Sequence, residues 1–485
     1  MTAMPEGSAD IVFRGGTIID GTGDAGVIGD VAIVGNRIIA IGSLNDISGV
    51  KEVNIANKVI CPGFIDVHTH DDQVCITSPR MTAKISQGVT TVITGNCGIS
   101  LAPLAPGNDI PQPLNLLGQA ENFKYSEFES FVQAVQKSVP AVNIASLVGH
   151  TTLRVGAVAD LGNKATPQEL KLMQRRLKNA MKAGAIGLST GLFYSPSQAA
   201  DIGEVSALTK IVAEMGGICT AHIRNEMDQI RDALDEAFQA IRSTKVPLII
   251  SHHKCAGVKN WGRSGETLAM IDVANRYSPV GLDCYPYIAG STIIIPDLVD
   301  GEIDILITWS EKYPDVSGRY LKDICAEWNC SEREAAERLV PGGACYFQMN
   351  EKDVRRILQH PRCMIGSDGL PSDPNPHPRL WGTFPRVLGH YARDVGLFSL
   401  ETAVHKMTGL AARTFGLMNR GILKSGNQAD IVIFDPETIM DGATFDTPVQ
   451  AAQGIEDVYV NGELTWSRGQ HTGKCNGKYL SGNAN

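Results

Sequence analysis

Apolar and polar positions alternate along the first 61 residues, in short runs separated by glycine-rich segments. Successive side chains of a strand face opposite ways, so this pattern predicts short strands joined by hairpins. The same pattern returns in 429–434 and just before Asn461-Gly462, a dipeptide typical of a tight hairpin turn. We therefore predict that 1–61 and 421–485 together form one small β-sandwich.

Between these ends, apolar runs alternate with amphipathic helical patterns, which is typical of parallel strands joined by crossover helices. Eight such runs, each with its own crossover, favour a closed (β/α)8 TIM barrel over an open sheet, within the α/β class. The predicted barrel strands are 64–70, 90–97, 143–150, 185–191, 218–224, 248–254, 281–287 and 363–368.

The connection before the last of these strands is too long for an ordinary crossover. We predict that 288–359 is an inserted subdomain that covers the mouth of the barrel, so that the barrel itself occupies 62–287 and 360–420.

Charge and cysteine usage narrow the class of protein. The 485 residues carry 43 Lys and Arg against 52 Asp and Glu, a net charge of -9, which disfavours nucleic-acid binding. The 11 cysteines form no C-x-x-C pair, and the N-terminus has no signal-peptide pattern, so we expect free thiols and a cytoplasmic location. The longest uncharged stretch, 85–108, is broken by Gly, Pro and polar residues, so no membrane span is expected.

Metal-ligand residues follow the first predicted barrel strand. In a strand, residues i and i+2 face the same way, so His68 and His70 would project together toward the barrel mouth and could share one metal ion. A single His-x-His pair is weak evidence, because either histidine could equally be a hydrogen-bonded core residue.

Other strand ends carry similar groups, and barrel enzymes place their chemistry at this face. Cys97 ends the second strand, His222 the fifth, His252-His253 the sixth and Asp368 the eighth. Alternation lets only one of the adjacent histidines face inward, and His150 after the third strand is expected to be structural. Imidazoles and a thiolate suit Zn²⁺, and Asp368 would supply the base of a zinc hydrolase.

Two other motifs lack the following helix that their usual functions require. The G-x-G-x-x-G at 21–26 is followed by a strand pattern and not by a helix, so it predicts a hairpin loop. The G-x-S-x-G around Ser189 lacks the helix that a nucleophile elbow needs, so a serine hydrolase is disfavoured.

Taken together, these motifs resemble the amidohydrolase superfamily, and within it the N-acyl-D-amino-acid deacylases (D-aminoacylases), over nearly the whole chain. The resemblance lies in the segments 62–72, 95–100, 149–154, 251–254, 283–287, 366–371 and 377–383. Many amidohydrolases bridge two metals with a lysine on strand four, but 185–191 contains no lysine here.

The resemblance implies a zinc centre and an amide-hydrolysing activity. It places a tight zinc site at Cys97, His222 and His252, with Cys97 in the bridging position, and a weaker site at His68 and His70. It also implies that Asp368 takes a proton from a zinc-activated water and returns it to the leaving amine, releasing a carboxylate and a D-amino acid.

A cradle for the substrate α-carboxylate is implied as well. The resemblance assigns this role to Lys254, Tyr285 and Arg379, and a guanidinium matches a carboxylate bidentately. Tyr194 and Ser291 are further candidates for hydrogen bonds around the scissile amide.

The side-chain preference is predicted from 291–311, which holds five acids and no Lys or Arg. A second substrate carboxylate would find no cation there, so we expect neutral or hydrophobic D-amino acids, with Tyr346, Phe347 and Met349 as pocket walls. The alternatives are another amidohydrolase, such as a cyclic amidase or dipeptidase, and a non-catalytic structural homologue; the second is disfavoured because no expected ligand is missing.

Overall fold

A computed structural model describes residues 8–105, 107 and 110–482. The ends of the two predicted terminal segments, 1–7 and 483–485, lie outside the described residues. The strands are β1 (Ser8–Ile18), β2 (Val27–Val34), β3 (Arg37–Gly42), β4 (Ser48–Asn54), β5 (Val59–Pro62), β6 (Phe64–Asp66), β7 (Val89–Thr94), β8 (Asn143–Gly149), β9 (Gly187–Gly191), β10 (Ile218–His222), β11 (Leu248–Ile250), β12 (Val280–Cys284), β13 (Gly290–Ile293), β14 (Ile305–Ser310), β15 (Gly342–Tyr346), β16 (Cys363–Ile365), β17 (Ile431–Phe434), β18 (Ile455–Val460), β19 (Glu463–Ser467) and β20 (Gln470–His471).

Helices cover the outside of the central sheet and connect its strands. The α-helices are α1 (Val74–Thr77), α2 (Thr82–Ile85), α3 (Phe128–Ser138), α4 (His150–Ala157), α5 (Pro167–Lys182), α6 (Ser195–Gln198), α7 (Ile202–Glu214), α8 (Ile230–Ile241), α9 (Ser264–Ala274), α10 (Leu321–Trp328), α11 (Glu332–Leu339), α12 (Glu351–Gln359), α13 (Arg379–Arg386), α14 (Leu400–Met407) and α15 (Gly409–Phe415). Short 3-10 turns lie at Leu114–Leu117, Ala120–Asn122, Val258–Asn260, Pro296–Leu298 and Pro314–Val316, and a π-helical segment at Val387–Asp394.

Eight parallel strands form the barrel, in the order β16-β12-β11-β10-β9-β8-β7-β6. A parallel bridge between Thr69 and Gly369 brings the two edge strands together, and the Asp368 amide donates to the His68 carbonyl at 2.8 Å. The predicted (β/α)8 barrel is therefore confirmed.

All eight predicted barrel strands are present, but most end earlier than expected. β6 stops at Asp66, β11 at Ile250 and β16 at Ile365, so His68, His70, His252 and Asp368 follow the ladder instead of belonging to it. His222, by contrast, is the last residue of β10. His68 and His70 do not share a face of β6, contrary to the prediction from alternation, because both follow its end. Their side chains nevertheless reach the same site.

The terminal segments share one nine-stranded sheet in the order β20-β19-β18-β17-β5-β1-β2-β3, with β4 paired to β1. β1 runs parallel to β4 over its first part and to β5 at its end, so the sheet forks at β1. Phe13, Ile60, Ile431 and Tyr459, from both ends of the chain, pack in one core. The two ends of the chain thus build one β domain together, as predicted, and its strands are joined in a sheet that forks at β1.

Within 288–359, β13, β15 and β14 form a three-stranded antiparallel sheet. Its own core includes Ile307, Leu321, Leu339 and Tyr346. The last helix of this segment, α12, packs against α9 and β16 of the barrel. None of the helices in the described part of the chain combines the length and apolar composition that crossing a bilayer requires.

Candidate active site and metal centre

A thiol flanked by two imidazoles lies at the carboxyl ends of the barrel strands. The Nε2 atoms of His68 and His252 each lie 3.2 Å from Cys97 Sγ. His222 joins this group, with its Nδ1 3.0 Å from His252 Nε2. Side chains from the ends of four predicted strands thus converge on one point.

Asp368 lies on the opposite side of the same group. Its Oδ1 is 3.2 Å from His70 Nε2 and 3.4 Å from His68 Nε2. Its Oδ2 pairs with Arg379 Nη1 at 2.9 Å. Burial opposes ionisation of this carboxyl, but Arg379 and the neighbouring imidazoles hold its pKa well below its usual range. Asp368 is therefore a carboxylate at neutral pH.

Three of these residues adopt left-handed backbone angles, with φ of 52° at Cys97, 36° at His252 and 50° at Asp368. Such angles are unfavourable for residues other than glycine and concentrate at functional sites. Hydrogen bonds from neighbouring segments hold them; for example, the His252 amide donates to Asp283 Oδ1 at 2.8 Å. The turn after each strand thereby directs the side chain into the barrel mouth.

Close packing of the last strand against the first also shapes the site. A Cβ at Gly366 would lie 2.5 Å from the Cβ of His68. Glycine at this position is therefore needed for β16 to bring Asp368 beside His68.

The electrostatics favour a thiolate. Burial alone would raise the pKa of the Cys97 thiol, but the positive charges on His68 and His252 hold that pKa well below its usual range. A thiolate is the form of cysteine that binds metals.

The donor set fits zinc. Tetrahedral zinc, with about 2.3 Å to sulfur and about 2.0–2.1 Å to nitrogen, keeps neighbouring ligand atoms roughly 3.5 Å apart. The ligand atoms of His68, Cys97, His252 and Asp368 all lie within 4.8 Å of one another. A thiolate with imidazoles and one carboxylate is a borderline-soft set that suits Zn²⁺ better than Mg²⁺ or Ca²⁺.

A cleft of about 780 Å³, counting its open mouth, leads to this centre. Of the predicted substrate-binding residues, Lys254, Tyr285, Tyr194 and Ser291 line it. Arg379 lies behind Tyr285, with its guanidinium 4.5 Å from the ring centroid, and is 1% exposed. The structure therefore brings all five together.

Both cations of the predicted carboxylate cradle have acidic partners. Lys254 Nζ donates to Glu226 Oε1 at 2.6 Å, and Arg379 pairs with Asp368 and not with Asp373. Arg379 also donates to the Ser291 carbonyl at 3.1 Å.

The hydroxyl groups of Tyr194 and Thr292 lie next to each other at the wall of the cleft. The Tyr194 hydroxyl is 3.0 Å from Thr292 Oγ1, on strand β13 of the insertion. Its ring packs edge-on against His222, with 5.1 Å between the ring centroids. Tyr194 therefore connects the metal centre with the insertion.

Several residues singled out in the sequence lie away from the cleft. His253 is buried beside Thr267, 2.8 Å from its Oγ1, and His150 pairs with Glu204 at 2.8 Å. Ser189 is fully buried in β9 and its Oγ accepts from the Gly98 amide, which leaves no exposed nucleophile. The 21–26 loop joins the antiparallel strands β1 and β2, as predicted.

Sequence reasoning missed the carboxylates behind the imidazoles. Asp283 lies 3.2 Å from His68 Nδ1, and Glu226 lies 3.0 Å from His252 Nδ1. Glu226 follows His222 by four residues, a spacing that could have drawn attention to it. Such carboxylates fix the ring orientation and tautomer of metal-binding histidines.

A buried lysine beneath the site was missed as well. Lys84 Nζ, 1% exposed, donates to Asp66 Oδ2 at 2.9 Å and to Ser367 Oγ at 2.8 Å, and lies 3.3 Å from Asp71 Oδ2. It thereby ties the segment that carries His68 to the segment that carries Asp368. Nothing in the local sequence marks this lysine as buried.

A (β/α)8 barrel with such a centre at its strand ends is the architecture of a metal-dependent hydrolase. The family model described as the amidohydrolase family matches residues 51–275 and 330–466, so the chain belongs to this family.

Its similarity to characterised relatives spans nearly the full chain. A D-aminoacylase of Alcaligenes xylosoxydans xylosoxydans is 48% identical over 97% of this chain and 97% of its own length. An N-acyl-D-aspartate deacylase of the same organism is 47% identical, over 96% of this chain and 93% of its own. The crystal structure of N-acyl-D-glutamate deacylase from Bordetella bronchiseptica, complexed with zinc and a phosphonate mimic of the tetrahedral intermediate, superposes with a TM-score of 0.94 and 45% identity, covering 98% of this chain and all of that one.

Proposed function

We propose that this protein is a zinc-dependent N-acyl-D-amino-acid deacylase, which hydrolyses the amide bond to a carboxylate and a free D-amino acid. The observation that carries this proposal is the thiolate, imidazole and carboxylate centre at the end of a cleft with two cations beside it. Similarity to a D-aminoacylase and to deacylases of N-acyl-D-aspartate and N-acyl-D-glutamate supports the substrate class.

In this proposal Cys97, His222 and His252 hold the catalytic zinc, and His68 and His70 form a second, weaker site. These residues would hold zinc where it would supply a Lewis acid for the amide carbonyl and lower the pKa of a water molecule. Asp368 accepts the proton at Oδ1, the oxygen that faces His70 and His68, while Arg379 holds Oδ2. Asp368 then donates this proton to the leaving nitrogen.

The substrate α-carboxylate binds beside Arg379, Lys254 and Tyr285. The Tyr285 ring lies against Arg379, and Lys254 Nζ is 5.8 Å from the ring centroid, so one positive charge lines this corner of the cleft and a second lies behind its wall. An N-acyl amino acid is an anion at neutral pH, and these charges orient it with its amide toward the metal centre. Tyr194 and Ser291 lie where they could hydrogen-bond the amide.

Neutral or hydrophobic D-amino acids are the preferred substrates in this proposal. Among the described residues that line the cleft, Lys254 is the one Lys or Arg, and it is assigned to the α-carboxylate. Apolar side chains cover much of the remaining wall, namely Leu116, Phe193, Met227, Leu298, Tyr346 and Leu370. Phe347 packs instead on Phe445, 4.8 Å between ring centroids, and Met349 lies behind Tyr285, so of the three expected walls Tyr346 lines the cleft.

We therefore expect zinc-loaded protein to hydrolyse N-acetyl-D-methionine with at least about tenfold higher kcat/KM than N-acetyl-D-glutamate. The second carboxylate of glutamate would lose its hydration without gaining a cation. Initial rates of D-amino-acid release from both substrates, on one preparation, measure this ratio. A higher value on the glutamate derivative would refute the proposed preference while leaving the hydrolytic chemistry in place.

A further inference from the structure

The two imidazoles beside Cys97 have the same arrangement. Each presents Nε2 to the sulfur at 3.2 Å and Nδ1 to a carboxylate, Asp283 behind His68 and Glu226 behind His252. The two carboxylates have different further partners: Asp283 accepts from the His252 amide at 2.8 Å, whereas Glu226 Oε2 lies 4.0 Å from His222 Nε2. Glu226 also binds a cation that lines the cleft, Lys254, at 2.6 Å.

Lys254 lies very close to the same imidazole. Its Nζ is 2.8 Å from His252 Nδ1. When His252 offers its Nε2 lone pair to a metal, the ring proton is on Nδ1, because a neutral imidazole has one N–H and one acceptor nitrogen. An N–H group and an ammonium would then face each other, two donors with no acceptor between them.

Glu226 supplies the missing acceptor. Its Oε1 is 3.0 Å from His252 Nδ1 and 2.6 Å from Lys254 Nζ, so one oxygen accepts from both donors. Its side chain is 13% exposed and lines the cleft, next to both donors.

We propose that Glu226 is a positioning residue that allows a zinc-binding His252 and a charged, substrate-binding Lys254 to occupy adjacent positions. The carboxylate fixes the Nδ1–H tautomer of His252 and holds the ammonium at the cleft wall. This inference rests on the proposed function for the role of Lys254, but its effect on zinc binding does not depend on any substrate.

The geometry separates this role from direct ligation. Cys97 Sγ lies at Nε2 of His252 and Glu226 at Nδ1, on opposite sides of the ring, so an ion bound to the thiolate through Nε2 is not shared with Glu226. His222, Glu226 and His252 do form a second group with ligand atoms within 4.8 Å of one another, and ligation by Glu226 is therefore an outcome that the experiment must detect.

The test is a zinc-affinity measurement by chelator competition on wild-type protein and on E226Q, K254M and the double variant. E226Q should raise the zinc dissociation constant by about 10- to 100-fold, the range for carboxylates behind metal-binding histidines. Removing Lys254 removes the opposing donor, so the double variant should bind zinc within about threefold of K254M. If Glu226 were itself a ligand, adding K254M to E226Q would not restore the zinc affinity.

A matched control is available in the same fold. Glu204 is also buried and contacts a histidine and a cation, His150 Nε2 at 2.8 Å and Arg154 Nη1 at 2.6 Å, but lies outside the cleft. E204Q should lower the Tm while changing zinc affinity by less than about threefold, because it touches no proposed ligand. If E204Q lost as much zinc affinity as E226Q, the loss in E226Q would be explained by general destabilisation. That result would overturn the inference.

Kinetics provide the second readout. In zinc-saturated E226Q, the KM for N-acetyl-D-methionine should rise by about tenfold, the size expected for one lost charge-assisted hydrogen bond, with a smaller change in kcat. Wild-type zinc affinity in E226Q, or a double variant as weak as E226Q, would overturn the inference. Inactivity of the wild-type protein on every N-acyl-D-amino acid would instead refute the proposed function. The zinc-affinity measurements would then still test the role of Glu226 in zinc binding. If E226Q does not fold, the double variant, which removes both charges, is compared with K254M in its place.

Discussion

Replacing Asp368 by Asn should lower kcat on N-acetyl-D-methionine by about 10²- to 10⁴-fold, the usual contribution of a general base. Asn keeps the shape of the side chain and can still contact Arg379, but it cannot accept a proton. The wild-type carboxylate is ionised because Arg379 and the imidazoles hold its pKa well below its usual range. The measurement is kcat together with zinc content on the same sample, and we expect the zinc at Cys97, His222 and His252 to be retained, because Asp368 is not one of its three proposed ligands.

Asp373→Asn is the matched control for this variant. Asp373 is a buried acid near Asp368 in sequence, and burial raises its pKa to about 7, but it does not line the active-site cleft. Its replacement should leave kcat close to the wild-type value. Near-normal turnover in D368N, with zinc bound, would remove Asp368 from the proposed mechanism.

Replacing Cys97 by Ser should weaken zinc binding by at least about 100-fold, since a thiolate that contacts two ligand imidazoles is replaced by a hydroxyl that stays protonated at neutral pH. Activity at limiting zinc should fall in proportion. The measurement is zinc affinity by chelator competition, followed by activity against zinc concentration.

Cys219→Ser controls for the loss of a buried thiol. Cys219 lies on β10 near His222, and burial raises the pKa of its thiol, so it is expected to remain protonated and to bind no metal. This variant should keep wild-type zinc affinity even if its Tm falls. Equal zinc loss in C219S and C97S would contradict the assignment of Cys97 as a ligand.

The sequence was sufficient to predict the barrel because its strands are short apolar runs that alternate with helical segments along most of the central part of the chain. The site residues could be predicted because they lie at or just beyond the ends of those strands, as His222, Cys97 and Asp368 do. Their exact backbone could not, since the left-handed turns that end the strands depend on contacts from neighbouring segments. The hydrogen bond from the His252 amide to Asp283 is one such contact.

The carboxylates behind the histidines illustrate the same limit. Asp283 and Glu226 matter because they meet His68 and His252 across the barrel, which local patterns do not encode. The terminal β domain was predicted, but the pairing of its strands was not, because β1 pairs with two later strands at different points along its length. Local periodicity thus identified elements and their ends, and the long-range contacts came from the structure.

The central claim is zinc-dependent hydrolysis of N-acyl-D-amino acids. The most direct test measures release of methionine from N-acetyl-D-methionine and from N-acetyl-L-methionine by one purified sample, before and after zinc is removed by a chelator and returned, with zinc content determined at each stage. The account predicts release from the D-enantiomer alone, lost with the zinc and restored with it. Release that persists without zinc, or no release of D-methionine by zinc-loaded protein, would contradict it.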